Sequence, residues 1–393
     1  MASSSNHTSS DSESPPPRSG NKRRAKTLLD TLADGGRKKR KSPLAEENLR
    51  RYARAAQWFT RSYSPFTGIT EVIHHGLHEG EVDDDDDSEL QNIEDLTEYI
   101  NGYKHILSYE SNFKAAFERL KDDIPALEEL VRVMDAQAKE VRTGDTGTLK
   151  HGIVALLPKN LTTDVVMPPL PKSLSKANRG YNHPQIARML CPRDHLADFD
   201  SDASVIDQLQ AGSISTTPGD WATFLYDEEV EYDVENPAQG LFRGYLVIRV
   251  AKHIFTSPSS ASKSKAGAGK STRASNAKIH GMKRFTPRTI AYAVVQTWFT
   301  LSSMEAWDAE AEGFSLLELF NLTVEQFEDD PQSEWAVSTL AFFDEHVFGR
   351  RSPAVPEVAE EPAARRETAA ERMKRIRAKA KATPVSSGSN SSG

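Results

Sequence analysis

Residues 237–255 read PAQGLFRGYLVIRVAKHIF, and the period of their apolar positions decides whether the chain is helical or built around a sheet. Wound as a helix, Leu241, Tyr245 and Ile248 share one face and Phe242, Leu246, Val250 and Ile254 share the adjacent one, so most sides are apolar and the segment is largely buried. The stretch YLVIRV also suits a strand, because β-branched side chains fit a pleated surface. The surrounding chain is helical in pattern. Leu49, Tyr52, Ala56 and Phe59 recur three or four apart up to Tyr63, before Ser64-Pro65, and a short helix fits Thr67 to Leu77. Residues 89–141 carry three successive stripes: Leu90, Ile93, Leu96, Tyr99 and Ile100; Phe113, Ala116, Phe117 and Leu120; Ile124, Leu127, Leu130, Val131 and Met134. The sequence RTGDTGT then breaks the third of these.

From Leu149 to Asp202 the chain is proline-rich and irregular, with short helices expected at QIARML after Pro184 and at Val205–Leu209, and one short strand at Ala222–Tyr226 further on. Residues 289–303, 314–326 and 333–348 complete the pattern. The expected fold class is mainly α: an irregular helical bundle over residues 44–348, flanked by long, disordered, basic tails at 1–43 and 349–393. Within the body, residues 79–89 form an acidic loop containing Asp83 to Asp87, and residues 256–289 form a basic loop. The C-terminal tail joins a Pro/Glu linker to a basic exposed helix, with Ala369, Met373, Ile376 and Ala380 along one side.

Charge is unevenly placed. Residues 1–43 hold ten Lys/Arg against four Asp/Glu and residues 349–393 hold ten against five, while the middle has 29 basic and 48 acidic groups. Basic arms on an acidic body suit a receptor or polyanion that grips the arms, and the body should repel nucleic acid. No run of 18 apolar residues exists, so a membrane span is not expected. A single cysteine, Cys191, excludes an intrachain disulfide framework and points to a reducing compartment.

Two basic clusters, Lys22-Arg23-Arg24 and Arg37-Lys38-Lys39-Arg40-Lys41, are spaced as in a bipartite nuclear import signal, which fills two acidic sites on an import receptor. The expected location is the nucleus. Within AGAGKST (266–272), Gly269, Lys270 and Ser271 match the end of a phosphate-binding loop, but the opening position is Ser264 and no strand precedes it. We therefore expect no nucleotide cofactor. The basic side chains Lys263, Lys265, Lys270, Arg273, Lys278, Lys283 and Arg284, with Arg372, Lys374, Arg375 and Arg377 in the C-terminal helix, are instead candidates for sequence-indifferent contact with a polyanion.

Metal or nucleophilic chemistry has few candidates. His183, Cys191, His195 and Asp198 could supply zinc ligands or a Cys–His pair, although their spacing matches no compact zinc motif. His74, His75 and His78 lack the intervening glutamate of a zinc hydrolase. His253 and His280 flank the basic loop and could orient it.

The blocks RGYNHPQIARMLCP (179–192), WATFLY (221–226), GLFRGYLVIRVAKHIFTSPSSA (240–261), NAKIHGM (276–282) and IAYAVVQTWFTLSS (290–303) resemble a large uncharacterised family of mushroom-forming (basidiomycete) fungi, over about residues 90–330. The resemblance implies a family domain carrying tails of its own and a fungal source. It implies no activity, catalytic residue or cofactor. The leading expectation is a nuclear protein-interaction or scaffold protein, with an unidentified protein partner and nucleic-acid contact through its basic arms. The alternative is a metal-assisted enzyme assembled around His183, His195 and Asp198.

Overall fold

The computed structural model describes residues 43–78, 91–171, 175–262, 274–311, 313–349 and 373–378. Over these residues the protein is mainly helical. Its principal helices are α1 (Pro43–Ser62), α2 (Ile69–Leu77), α3 (Gln91–Tyr109), α4 (Phe113–Leu120), α5 (Ile124–Gly152), α6 (Pro184–Leu190), α7 (Ser204–Gln210), α8 (Tyr245–Ala251), α9 (Pro287–Leu301), α10 (Leu316–Glu328) and α11 (Glu334–Phe348). The strands among the described residues are β1 (Glu310–Ala311) and β2 (Phe314–Ser315), two residues each and paired antiparallel, with Ala311 opposite Phe314. No described helix is long and apolar enough to cross a membrane.

The chain divides into two compact units. One contains Met1–Ala56 and Gly68–Gln137. Its core is aromatic: Tyr52 stacks on Phe113 with ring centroids 4.4 Å apart, and Tyr103 and Phe117 close around the pair. Helices α2 and α3 pack so closely that a Cβ on Gly76 would lie 2.1 Å from the Tyr103 ring. The glycine within HHGLH therefore serves helix contact.

The other unit contains Gln57–Thr67 and Ala138–Gly393. Its centre is α9, where every residue from Thr289 to Leu301 is buried. A helix covered on all sides must satisfy its own polar groups, because water cannot reach them. Thr297 donates to the Ala293 carbonyl at 2.7 Å and Thr300 to the Gln296 carbonyl at 2.6 Å. At the start, Thr286 and Thr289 form a reciprocal capping box with Pro287 in the first turn. At the far end, Arg179 Nη1 donates to the Thr300 carbonyl at 3.0 Å, and the fully buried Lys176 places Nζ on the Phe299 carbonyl. Both cations meet the end of the helix where partial negative charge collects.

The opening stretch begins as turns over residues 237–244, with Leu241 bridged to Tyr226 and Phe242 at φ +62°, so the helix expected to start at Pro237 is corrected over its first half. It is helical only from Tyr245, as α8, whose last turn widens into a π-helical turn at Lys252–Thr256. Such a turn leaves carbonyls seeking donors. Asn276 supplies one, its Nδ2 donating to the Ile254 carbonyl at 2.6 Å. The blocks KHIFTSPSSA and NAKIHGM thus meet in space, the first continuing into a capped turn at Pro258–Ala261 and the second forming Asn276–Ile279.

Two further local expectations are corrected. RTGDTGT does not end the third helix, since α5 runs through it to Gly152. Tertiary partners hold the turn: Arg142 donates to the Pro65 carbonyl at 2.7 Å, Asp145 pairs with Arg61, and Thr146 donates to Gln296 Oε1 at 3.1 Å. Ala222–Tyr226 is a 3-10 turn at Thr223–Leu225, tied by single bridges from Ala222 to Pro192 and from Tyr226 to Leu241. With one bridge at each end, a regular strand cannot extend.

Candidate functional site

Of the residues singled out for metal or nucleophilic chemistry, only His195 and Asp198 meet; Cys191 and His183 are engaged elsewhere. Cys191 is buried beside Val205 and Leu209. Burial, with Asp200 adding to it, pushes its thiol up to about 12, so it stays protonated and a poor nucleophile. His183 is also buried, with Nε2 2.7 Å from the Pro168 carbonyl oxygen, while its Nδ1 meets no hydrogen-bond partner among the described residues. His195 lies on a different turn, its Nδ1 3.6 Å from Asp198 Oδ2. Among the described residues no group of three or more His, Cys, Asp or Glu side chains could hold a metal ion. The metal-assisted enzyme around His183, His195 and Asp198 is therefore corrected.

The other histidines considered above make local contacts. His75 stacks on Tyr99 at 5.0 Å, His78 Nδ1 contacts the His74 carbonyl oxygen at 2.8 Å, and His280 stacks on Trp58 at 5.2 Å. His253 Nε2 lies 3.2 Å from Thr148 Oγ1, and burial lowers its pKa against the opposing pull of Asp145. His253 and His280 thus contact Thr148 and Trp58 on either side of residues 263–273.

A buried polar assembly joins α1, α5 and α9. Arg61 donates from Nε and Nη2 to the two carboxylate oxygens of Asp145 at 2.7 and 2.8 Å. Tyr292 OH donates to Asp145 Oδ2 at 3.0 Å, and Gln296 Nε2 donates to the Tyr292 oxygen at 3.2 Å. Burial pulls the Arg61 pKa down, but the charge and hydrogen bonds of Asp145 outweigh it and hold the guanidinium above its ordinary value. Every member faces another member, so the assembly pins helices together and offers no open position to a substrate.

A cavity of about 470 Å³ opens near the C-terminal end of α9, lined among others by Tyr181, Asn182, Trp298, Ser303 and Phe314. Trp298 stacks on Phe314 with centroids 3.9 Å apart. Among the described residues no Asp, Glu, His, Lys or Arg lines it, and burial pushes the Tyr181 phenol up to about 12. The described lining is polar and uncharged.

An acidic face with an aromatic centre lies on α10 and α11. Residues 373–378 form a helical turn against it. Met373 is only 3% exposed and joins the main core. Lys374 Nζ pairs with Glu325 Oε2 at 2.9 Å. Arg377 donates from Nη1 to the Glu325 carbonyl at 3.2 Å, lies 3.6 Å from Asp329 Oδ2, and places its guanidinium carbon 5.5 Å from the centre of the Trp335 ring. Residues 373 and 377 stand one turn apart, so both face the body. Hydrogen bonding to Glu325 raises the Lys374 pKa, helped by the charges of Glu325, Asp329 and Glu318. Burial lowers that of Arg377, opposed by Asp329 and Asp330. Trp335 is itself fixed, with Nε1 donating to the Ala238 carbonyl at 2.8 Å and its ring against Phe327 and Phe242.

Within this turn Met373 is buried and Arg375 and Arg377 are partly buried, while Lys374, Ile376 and Ala378 are exposed; Lys374 and Arg377 both meet acidic side chains of the protein itself. Lys278, Lys283 and Arg284 are exposed. The clusters Lys22 to Arg24 and Arg37 to Lys41, together with Lys263, Lys265, Lys270, Arg273 and Arg372, lie outside the described residues.

These features define a mainly helical protein whose apolar core encloses a buried polar network, with an acidic, aromatic face against which a basic turn packs. Residues 136–348, more than half of the chain, match the model of a family of unknown function, DUF6698, and the chain belongs to that family. No curated protein and no solved structure matches it.

Proposed function

We propose that the protein is a nuclear protein-interaction module or scaffold, and that its basic arms supply import and non-specific nucleic-acid contact. The observation that carries this reading is the α10–α11 face, where acidic side chains and Trp335 hold a short basic helical turn. Charge at such a surface selects partners, and the buried methionine adds apolar area to the contact. The nucleic-acid part rests on the exposed Lys278, Lys283 and Arg284 and on the clusters at residues 22–41. Phosphate contacts of that kind weaken steeply with salt.

The test is capture of the full chain from nuclear extract, with and without nuclease. Protein partners retained after nuclease are expected, and loss of all captured material on nuclease treatment would refute an interaction module. In the same cells, alanine at Lys22 to Arg24 and Arg37 to Lys41 should leave a fluorescent full-length fusion outside the nucleus. Unchanged nuclear accumulation would remove the import assignment.

A further inference from the structure

We propose that residues 165–171, which read VVMPPLP, form a docking ridge for the aromatic-lined, proline-reading groove of a WW-type domain on a separate protein. The ridge is a different surface from the α10–α11 face, and the inference needs neither that face nor the basic arms.

The sequence restrains this backbone before any packing does. Pro168, Pro169 and Pro171 each hold φ at about −65°. Met167, Pro168 and Leu170 each precede a proline, which pushes them out of the helical region. From Pro168 to Pro171 these restraints favour a polyproline II path, in which every third residue shares an edge. Pro168 and Pro171 then fall on one edge, the Pro-x-x-Pro spacing that aromatic grooves read. None of residues 165–171 belongs to a helix or a strand.

Tertiary contacts fix the inner side of the segment and leave the outer side open. Gln185 Oε1 accepts from Met167 N at 3.1 Å, and the Pro168 carbonyl accepts from His183 Nε2 at 2.7 Å, so the start of α6 holds the backbone. Val166 and Leu170 pack, partly buried, against the main core. Pro168, Pro169 and Pro171 are exposed, and Val165 and Met167 are 68% and 58% exposed. A contiguous apolar surface on an anchored backbone marks a contact for another molecule. Among the described residues no hydrogen bond reaches the carbonyls of Pro169, Leu170 or Pro171, which can therefore accept from an indole N–H or a tyrosine hydroxyl in the groove. Residues 165–171 carry no charged side chain, so the partner must hold them by ring contact with proline and not by ion pairs. Because the backbone is already held, docking orders little additional chain.

The experiment titrates the full-length protein into a purified, fluorescently labelled WW domain selective for Pro-Pro-Leu-Pro ligands, followed by anisotropy. Saturable binding is expected, with a dissociation constant of roughly 10–300 μM for so short a contact. Pro169→Ala with Pro171→Ala should weaken it at least about tenfold. Both prolines are exposed, so the melting temperature of that variant should stay within about 2 °C of the parent. The same WW domain with its groove tryptophan replaced by alanine should bind at least about tenfold more weakly. Absence of saturable binding to the unaltered chain overturns the proposal, as does undiminished binding by the proline variant or by the groove variant. If the double variant fails to fold, Pro171→Ala alone replaces it and the same outcomes decide. These components are purified, so failure here leaves the nuclear-extract capture as an independent test of the interaction module.

Discussion

Replacing Asp145 with alanine should destabilise the unit containing α9 by about 3–5 kcal/mol, the cost of leaving a buried cation without its partner. Arg61 and Asp145 have side chains only 7% and 12% exposed, and their two hydrogen bonds are 2.7 and 2.8 Å long. Tyr292 loses its acceptor in the same step, and its phenol has burial against it as well. For a unit of this size the loss corresponds to a fall in melting temperature of roughly 10 °C. The pair is not optimal for stability in itself, since desolvating two charges costs much of what their attraction returns. A double replacement, Arg61→Met with Asp145→Leu, should therefore recover most of the deficit of the single change. Thermal melts of the two variants decide the matter. An Asp145→Ala melt within about 2 °C of the parent would mean that water reaches Arg61 and that the network does not pin the helices.

Gly244→Ala should have an effect at least as large, about 4 kcal/mol or more, and is expected to abolish the folded protein in the soluble fraction. A Cβ at this position would lie 2.0 Å from the Phe224 carbonyl oxygen and 2.9 Å from its carbon, both backbone atoms. Retreat is blocked. Gly244 N donates to the Leu225 carbonyl at 3.1 Å, and the bridge between Tyr226 and Leu241 fixes the same crossing. Next to it Phe242 is buried with φ +62°, a left-handed conformation that an aromatic residue adopts only when its surroundings compel it. Its ring sits 5.3 Å from Trp221 and 5.7 Å from Phe327, which supplies that compulsion. Gly144→Ala provides the control of opposite sign. It lies within α5 with nothing within 4 Å of the new Cβ, and should stabilise by roughly 0.5–1 kcal/mol. Solubility and melting temperature of the two variants measure the contrast. A well-folded Gly244→Ala protein would mean that the crossing of residues 224 and 244 is looser than these distances require.

The helices were legible where apolar period is strong. The pattern in 289–303 becomes α9, and Pro184 opens α6 as its fixed φ allows. The reading of 237–255 as a helix holds from Tyr245 onward and fails over 237–244, where Leu241 bridges Tyr226; a segment covered on several sides leaves similar apolar runs whether it is helix or extended chain. The continuation of α5 through RTGDTGT was not legible. Its two glycines disfavour helix locally, and the partners that offset them, Arg61, Pro65 and Gln296, are remote in the chain.

The candidate site divides along the same line. Cys191 and His183 carry reactive atoms, but only the fold shows that burial silences the one and that the other rests on a backbone carbonyl. The basic C-terminal helix was visible as a pattern of Met, Lys and Arg. Its destination was hidden, because Glu325, Asp329 and Trp335 occupy two separate helical regions and read individually as ordinary surface residues. The spacing of Met373 and Arg377 was the available signal, being one helical turn with an apolar and a cationic anchor on one face.

The most direct measurement is amide hydrogen exchange across residues 373–378 in the full-length protein. Docking on α10 and α11 predicts exchange roughly ten- to a hundredfold slower than in the free peptide of residues 366–381, with the protection lost on Arg377→Glu. Exchange as fast as in the free peptide would contradict the placement of Met373, Lys374 and Arg377, and with it the assignment of this face as a recognition surface.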